Sequence, residues 1–302
     1  MINKKVFWAR LSVISNTILA VFKLIVFSYT GAVSILSEAI HSGIDLLAAL
    51  IAYFSVKKSS EPPDREHPFG HGKFENLSGF VESLLIIAAA FYIFYEAIPR
   101  FYKEHRIDSI DIGIYVMALS ALINFFVSRK LYKVARETDS IAIETDAAHL
   151  SVDVYTSLGV LIGLSLIYIT GLQVIDPIIS IIIAFYILYL GFVLTKKSTK
   201  DLLDTKLSDS DNQDIENIIA QHIGKIVSFH KLATRKSGSE KMIEVHLQFM
   251  PNISLKQAHE IAHHIKDDIR DKISSARVTI HIEPCEELCK ECSSNGCTSR
   301  KE

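Results

Sequence analysis

The sequence predicts an α-helical membrane protein, with six transmembrane helices followed by a C-terminal cytoplasmic α+β domain of order αββαβ. Three observations carry this. The chain is 49% hydrophobic yet 22% charged, which fits an apolar half joined to a polar half. The apolar runs stop near Leu194, and residues 200–302 read as soluble protein. Before that point, six apolar stretches each approach the roughly 20 residues that cross a bilayer.

The expected spans are Phe7–Tyr29, Val33–Val56, Leu77–Ile98, Ile110–Tyr132, Ala147–Ile169 and Val174–Thr195. The first is too long and too weakly flanked for a cleaved signal peptide, and no small-residue cleavage site follows it. Fourteen Lys and Arg residues, from Lys4 to Lys200, flank one side of the spans. Only Arg100, Lys103 and Arg106 flank the other. Positive charge stays cytoplasmic, so both termini are expected in the cytoplasm, with the spans in the cell (inner) membrane. Lipid is then a partner. The domains expected are residues 1–205 in the membrane, 206–284 in the cytoplasm and a Cys-rich tail, 285–302. The net charge of −2 gives no sign of nucleic-acid binding.

The second and fifth spans carry polar groups where lipid penalises them. "AIHSGID" (39–45) places His41 and Asp45 four apart, on one helical face. "AAHLSVD" (147–153) does the same with His149 and Asp153. A charged residue at a helix centre costs about 2.5–3.5 kcal/mol on insertion scales, so such residues usually have functional partners. Two imidazoles and two carboxylates match the ligand count of a four-coordinate zinc site. The alternative is two His–Asp hydrogen bonds that only hold helices together; repetition on two non-adjacent spans favours the metal site. Lys23 is expected to snorkel toward the outer headgroups, and Glu38 is left without an assigned partner.

"SSEPPDREHPFGHGKFE" (59–75) holds three prolines and two glycines and is expected to be a loop. It contains Asp64, His67 and His71. Spacing alone leaves a metal site and a solvated loop equally open, with Asp64 set apart from the two histidines.

In the polar half, "LSDSDNQDIENIIAQHI" reads as a helix and "EKMIEVHLQF" alternates as a strand. "KSGSEK" is a turn, making "IVSFHKLATR" the other arm of a hairpin. Ser254 and Gln257 have the spacing of a capping box ahead of a second helix, and "ARVTIHIE" closes the unit as a strand. Alternation puts His246 on the polar face of its strand and His281 and Glu283 on one face of theirs. With His230 and His259 these supply enough imidazole and carboxylate for one or two zinc ions. His222, His263 and His264 are expected to be solvated helix residues. All four cysteines, Cys285, Cys289, Cys292 and Cys297, lie in the last eighteen residues. "CKEC" has the CxxC spacing of zinc thiolate sites, so the tail reads as a metal-capture segment, with incidental thiols as the alternative. A disulfide is not expected on the reducing side of the membrane.

"VSILSEAIHSGIDLLAAL", "HPFGHGKFE" and "DAAHLSVDVYTSLGV" resemble the cation diffusion facilitators, a family of dimeric divalent-metal transporters. The resemblance runs to about "HIEPC" (281–285). It implies six spans, a metallochaperone-like cytoplasmic domain and a homodimer. It also implies a transport site of His41, Asp45, His149 and Asp153, and a shallow site of Asp64, His67 and His71. A binuclear cytoplasmic site would fall on His230, His246, His259, His281 and Glu283. Lys73 is similar to a residue making an inter-subunit charge contact, with Asp204 as its partner here. Two features depart from the pattern. His41 stands where many bacterial members have Asp, as in zinc-preferring eukaryotic members, and Glu283 stands where relatives carry Asp. The cysteine tail lies beyond the resemblance.

These observations lead to the expectation of a proton-coupled antiporter that exports a divalent transition metal from the cytoplasm. Zn2+ is expected both as cargo and as regulator. Export of Fe2+, Mn2+, Co2+ or Cd2+ is the alternative within this class, and a membrane-anchored metal sensor is the rival from another. The sequence has no phosphate loop, no nucleophile with a paired base and no aspartyl-phosphate motif, so no enzyme activity is expected.

Overall fold

The computed structural model describes residues 2–31, 33–101, 110–170, 172 and 174–285. The chain divides into two compact units, Met1–Lys200 and Asp201–Glu302.

The first unit is built of six long helices: α1 (Ile2–Thr30), α2 (Val33–Ser59), α3 (Lys73–Ala97), α4 (Ile110–Thr138), α5 (Ile141–Thr170) and α6 (Ile175–Leu202). Among the described residues, five of them, α1, α2, α3, α5 and α6, are long and apolar enough to cross a membrane. The sixth, α4, is 29 residues long and packs on α5 and α1. The unit is arranged as lipid requires. Phe54, Phe126, Ile182 and Phe192 are exposed along the helices, while Ser12, Asn16, Glu82, Asn124 and Asp146 are buried. Charged groups in hydrocarbon face the bundle interior because only there do they find polar partners. Helices approach closely where a side chain is missing. At Gly191 on α6, an added Cβ would lie 2.7 Å from Ile87 Cγ1 of α3, and small residues at such crossings are what let membrane helices pack.

The helices overrun the apolar stretches that announce them. The fifth was expected from Ala147, yet α5 begins at Ile141 and the third starts at Lys73 rather than Leu77. The added turns are polar in sequence but buried, with Glu75, Asn76, Thr145 and Asp146 at most 2% exposed. Lys5 Nζ of α1 lies 2.6 Å from Glu75 Oε1. Glu75 also accepts hydrogen bonds from Ser59 Oγ at 2.6 Å and from Ser140 Oγ. Internal pairing of this kind is what allows helix beyond the apolar run to stay buried.

The second unit runs α7 (Asp209–Ala220), β1 (Ser228–Ser237), β2 (Glu240–Phe249), α8 (Leu255–Lys272) and β3 (Ala276–Pro284). This is the αββαβ order expected. Strand order is β1-β2-β3, with β1 antiparallel and β3 parallel to β2. Ser208 caps α7 by accepting from the Asp211 amide, and Ser254 and Gln257 form the capping box of α8. Ile215 and Ile219 of α7, Ile265 and Ile269 of α8, and Ile243, Leu247 and Phe249 of β2 fill one core. That leaves the alternate residues of the strands on the opposite face of the sheet.

Candidate metal centres

The α2 and α5 motifs meet. His149 Nε2 lies 3.1 Å from Asp45 Oδ1, and His41 Nε2 lies 3.4 Å from Asp153 Oδ1 and 3.8 Å from Asp45 Oδ1. The pairing is crossed: each histidine faces the aspartate of the other helix. Ligand atoms of His41, Asp45 and Asp153 lie within 4.8 Å of one another, and His149 adjoins them through Asp45. Asp45 and His149 are buried, whereas the His41 side chain is 49% exposed. Asn124 of α4 donates from Nδ2 to Asp153 Oδ2 at 3.1 Å, holding the second oxygen of that carboxylate. The sequence reading missed Asn124 because a lone amide in an apolar run carries no pattern.

A cavity of about 720 Å³ borders this cluster. Its lining includes His41, Asp45, His149 and Asp153, and also Lys23, Glu38, Glu96 and Arg100. The cavity therefore runs from the four groups toward the end of the bundle where α1 and α3 finish. Lys23 does not snorkel as expected. It is buried, and its Nζ donates to Glu38 Oε2 at 2.9 Å. A partner fifteen residues on, in α2, supplies what the headgroups would have given, so pairing displaces snorkelling.

In the loop between α2 and α3, the Asp64 carboxylate stands between the two histidines rather than apart from them. Its Oδ2 is 3.1 Å from His71 Nε2 and its Oδ1 is 3.4 Å from His67 Nδ1. The chain folds so because Asp64 Oδ1 accepts from the amides of Glu66 and His67 at 3.0 and 2.6 Å, a tight local turn. The His67 amide bond, followed by the charge of His71, holds the Asp64 carboxyl below the usual carboxylate range against the cost of burial. His71 is buried, and both its ring nitrogens lack a hydrogen-bond partner. A buried imidazole with open nitrogens beside an ionised carboxylate suits a metal ion.

In the cytoplasmic unit the strand register aligns three histidines. His230 pairs with His246, and His246 with His281, across the sheet. Ring centroids are 5.3 and 4.6 Å apart. Glu283 reaches back along the row: its Oε1 is 2.9 Å from His230 Nε2 and its Oε2 is 3.2 Å from His246 Nδ1. Burial works against its charge, but the hydrogen bonds from His246 and Gln248 and the nearby imidazoles hold its pKa below the ordinary value. Ligand atoms of His230, His246 and Glu283 lie within 4.8 Å of one another. A β-bulge after His230, with Lys231 at φ +51°, ends the regular register there; bulges commonly re-aim side chains. His259 does not join this cluster: it lies on α8, its ring 6.2 Å from that of His263.

One further sequence expectation meets a different arrangement. His222 was expected in solvent, but its side chain is 12% exposed, with Nε2 3.2 Å from Asp268 Oδ2. It follows α7 and turns back against α8. Asp204, the expected inter-subunit partner of Lys73, has Arg235 Nη1 at 3.1 Å within its own protomer. Of the cysteines, Cys285 bonds through its amide to Phe249 O at 2.8 Å, at the end of the sheet. Cys289, Cys292 and Cys297 lie outside the described residues.

The chain has relatives over almost its full length. A family model described as "Cation efflux transmembrane domain" matches residues 9–203, and one described as "Cation efflux protein, cytoplasmic domain" matches residues 207–285. The chain is 32% identical over 273 residues to the cation-efflux pump FieF of Salmonella newport, covering 90% of each chain. It is 32% identical over 265 residues to the uncharacterized transporter sll1263 of Synechocystis, covering 88% of this chain and 86% of that one. A metal-bound C-terminal domain of the CzcD transporter from Thermotoga maritima matches 26% of this chain and 94% of its own, at 23% identity and a TM-score of 0.24. The family model over the helical unit and the near-full-length relatives make this chain a multi-pass membrane transporter of the cation efflux, or cation diffusion facilitator, family.

Proposed function

We propose that the protein is a homodimeric antiporter that exports Zn2+ from the cytoplasm in exchange for protons. The observation that carries this reading is the convergence of His41, Asp45, His149 and Asp153 at the floor of a cavity. Two nitrogens and two carboxylates suit zinc in number and in ligand type. Both termini are cytoplasmic in this reading, because Lys and Arg are concentrated on that side. The cavity past Lys23, Glu38, Glu96 and Arg100 then leads outward. Metal binding needs neutral imidazole and ionised carboxylate. Protons arriving through the cavity compete for the same atoms and drive release.

The two clusters outside the bundle serve regulation. Asp64, His67 and His71 form one site. His230, His246 and Glu283, with His281 beside them and His259 supplied from α8 on rearrangement or from the partner protomer, form the other. Metal at the second site stabilises the domain in proportion to its occupancy. The cysteines Cys285, Cys289, Cys292 and Cys297 capture metal from the cytoplasm.

The test is zinc movement in proteoliposomes. Zinc flux that follows an imposed proton gradient and stops when that gradient is collapsed is the expected result. Binding without flux would instead identify a membrane-anchored sensor. Flux of Fe2+, Mn2+, Co2+ or Cd2+ in preference to Zn2+ would keep transport and change the cargo.

A further inference from the structure

Two acids in the bundle take no part in the site described above. Glu82 of α3 is 0% exposed and Asp146 of α5 is 2% exposed, and their helices pack on one another. Each acid keeps one carboxylate oxygen, Glu82 Oε2 and Asp146 Oδ1, without a hydrogen-bond partner. Glu82 Oε1 accepts from Ser78 Oγ at 2.7 Å, while the buried Thr145 hydroxyl is directed to the Ile141 and Ala142 carbonyls of its own helix. On the third side, Ser12 of α1, fully buried, lies near Asp146. His149 is within electrostatic reach of both acids, and its Nδ1 has no partner while its Nε2 faces Asp45. The lysines buried in the bundle are committed elsewhere, Lys5 to Glu75 and Lys23 to Glu38.

Two buried carboxylates within electrostatic reach of one another, with no cation paired to either among the described residues, are costly, and Gln and Asn would pack these helices at less expense. Unsatisfied buried oxygens mark a place where an ion or water belongs. The donors present are all oxygen, a harder set than the imidazole-bearing cluster, and such sets hold divalent ions without the preference for zinc that imidazole brings. Asp146 precedes His149 by three residues, about 4.5 Å along the helix. It lies toward the end of α5 that follows the C-terminal turns of α4, which carry Arg129, Lys130, Lys133 and Arg136. The cavity borders the opposite side of His149.

We infer that Glu82 and Asp146 form a further divalent-cation site inside the bundle, one turn to the cytoplasmic side of His149, which holds the metal before it passes to the four-ligand set. The direction of passage rests on the proposed orientation and transport; the binding site does not. An oxygen set that binds moderately and hands the ion to imidazole gives a path on which each step is favourable.

The site is tested by counting metal in the full-length protein in detergent. In a chain carrying Asp45→Asn and Asp153→Asn, Zn2+ bound per chain at equilibrium falls by one when Glu82→Gln is added, and equally when Asp146→Asn is added. If Glu82→Gln is not monodisperse, Asp146→Asn decides. An unchanged count in a folded variant overturns the site. In the otherwise unaltered protein, Glu82→Gln raises the KM for cytoplasmic zinc about tenfold with little change in maximal flux, and Glu82→Asp restores it. A fall in maximal flux at constant KM, with a displaced pH profile, would make the pair a proton carrier and overturn the metal site. If the unaltered protein moves no zinc, the transport reading fails while the metal count still decides the site.

Discussion

His149 Nε2 lies 3.1 Å from Asp45 Oδ1, and this contact ties α5 to α2 across the centre of the helical unit. The crossed partner, His41 to Asp153 at 3.4 Å, completes a cluster in which each acid is met by a histidine of the other helix. Any movement of α2 against α5 therefore displaces the four groups relative to one another, and in the proposed transporter such a displacement would lower metal affinity.

Asn124 orients this cluster without entering it. Its amide holds Asp153 Oδ2 at 3.1 Å, fixing which oxygen turns toward the histidines. Asn124→Leu should lower the apparent zinc affinity about 10–100-fold, as removal of an outer partner of a metal ligand does. Zinc titration of the variant, with thermal unfolding unchanged, checks it. Unaltered affinity would remove Asn124 from the site.

The Lys5–Glu75 pair is a structural link between α1 and α3, with side chains 8% and 1% exposed. Lys5→Met leaves the buried Glu75 with hydroxyl partners but without this cation, and should cost up to about 3–5 kcal/mol. The double variant Lys5→Met with Glu75→Gln should recover much of that loss. Thermal unfolding in detergent distinguishes the two. Equal stability of the single and double variants would mean the pair is not coupled.

How much of this was legible in the sequence follows from which signals are periodic. His41, Asp45, His149 and Asp153 were readable because an i, i+4 repeat on two spans fixes both face and depth. The αββαβ order was readable because strand alternation and the Ser254–Gln257 box are local. Glu82 and Asp146 were not. One lies inside an apolar run that hides it, and the other sits just before Ala147, where the hydrophobic stretch appears to begin. Their burial is decided by α3 packing on α5, which no local window contains. Lys23 was misread, and Glu38 left without a partner, for the same reason, since their contact joins two helices. Asp64 looked remote from its histidines by spacing, and only the turn made by its own side chain brings it between them.

Glu283 gives the metal-free cytoplasmic unit a pH dependence. Its folded pKa lies below the ordinary value of 4.5, so the unfolded chain takes up its proton first as pH falls. Its contribution is present above about pH 4.5 and is lost as the pH drops through the lowered folded value. Glu283→Gln should therefore reduce the melting temperature of the isolated unit, freed of metal, at neutral pH and leave it unchanged near the acid limit. A constant difference at every pH would assign the effect to packing rather than charge.

His41 bears on the choice of cargo. An aspartate there would add a second potential oxygen ligand and a harder, more anionic site, which a larger ion such as Cd2+ exploits better than zinc. His41→Asp should keep zinc transport and raise cadmium flux relative to it; about 1.4 kcal/mol of differential binding already makes that ratio tenfold. Zinc and cadmium fluxes measured under one proton gradient give the ratio directly. A ratio that does not move would mean selection lies elsewhere.

The central claim is that the four crossed ligands carry the metal through the membrane, and zinc flux by Asp153→Ala in proteoliposomes tests it most directly. Asp153 faces His41 and is held by Asn124, so its loss removes one ligand and strands another. The account predicts that flux falls by at least about a hundredfold while the protein still inserts, remains dimeric and still binds zinc at its cytoplasmic histidines. Zinc flux equal to that of the unaltered protein, in a variant shown to be folded, would contradict it.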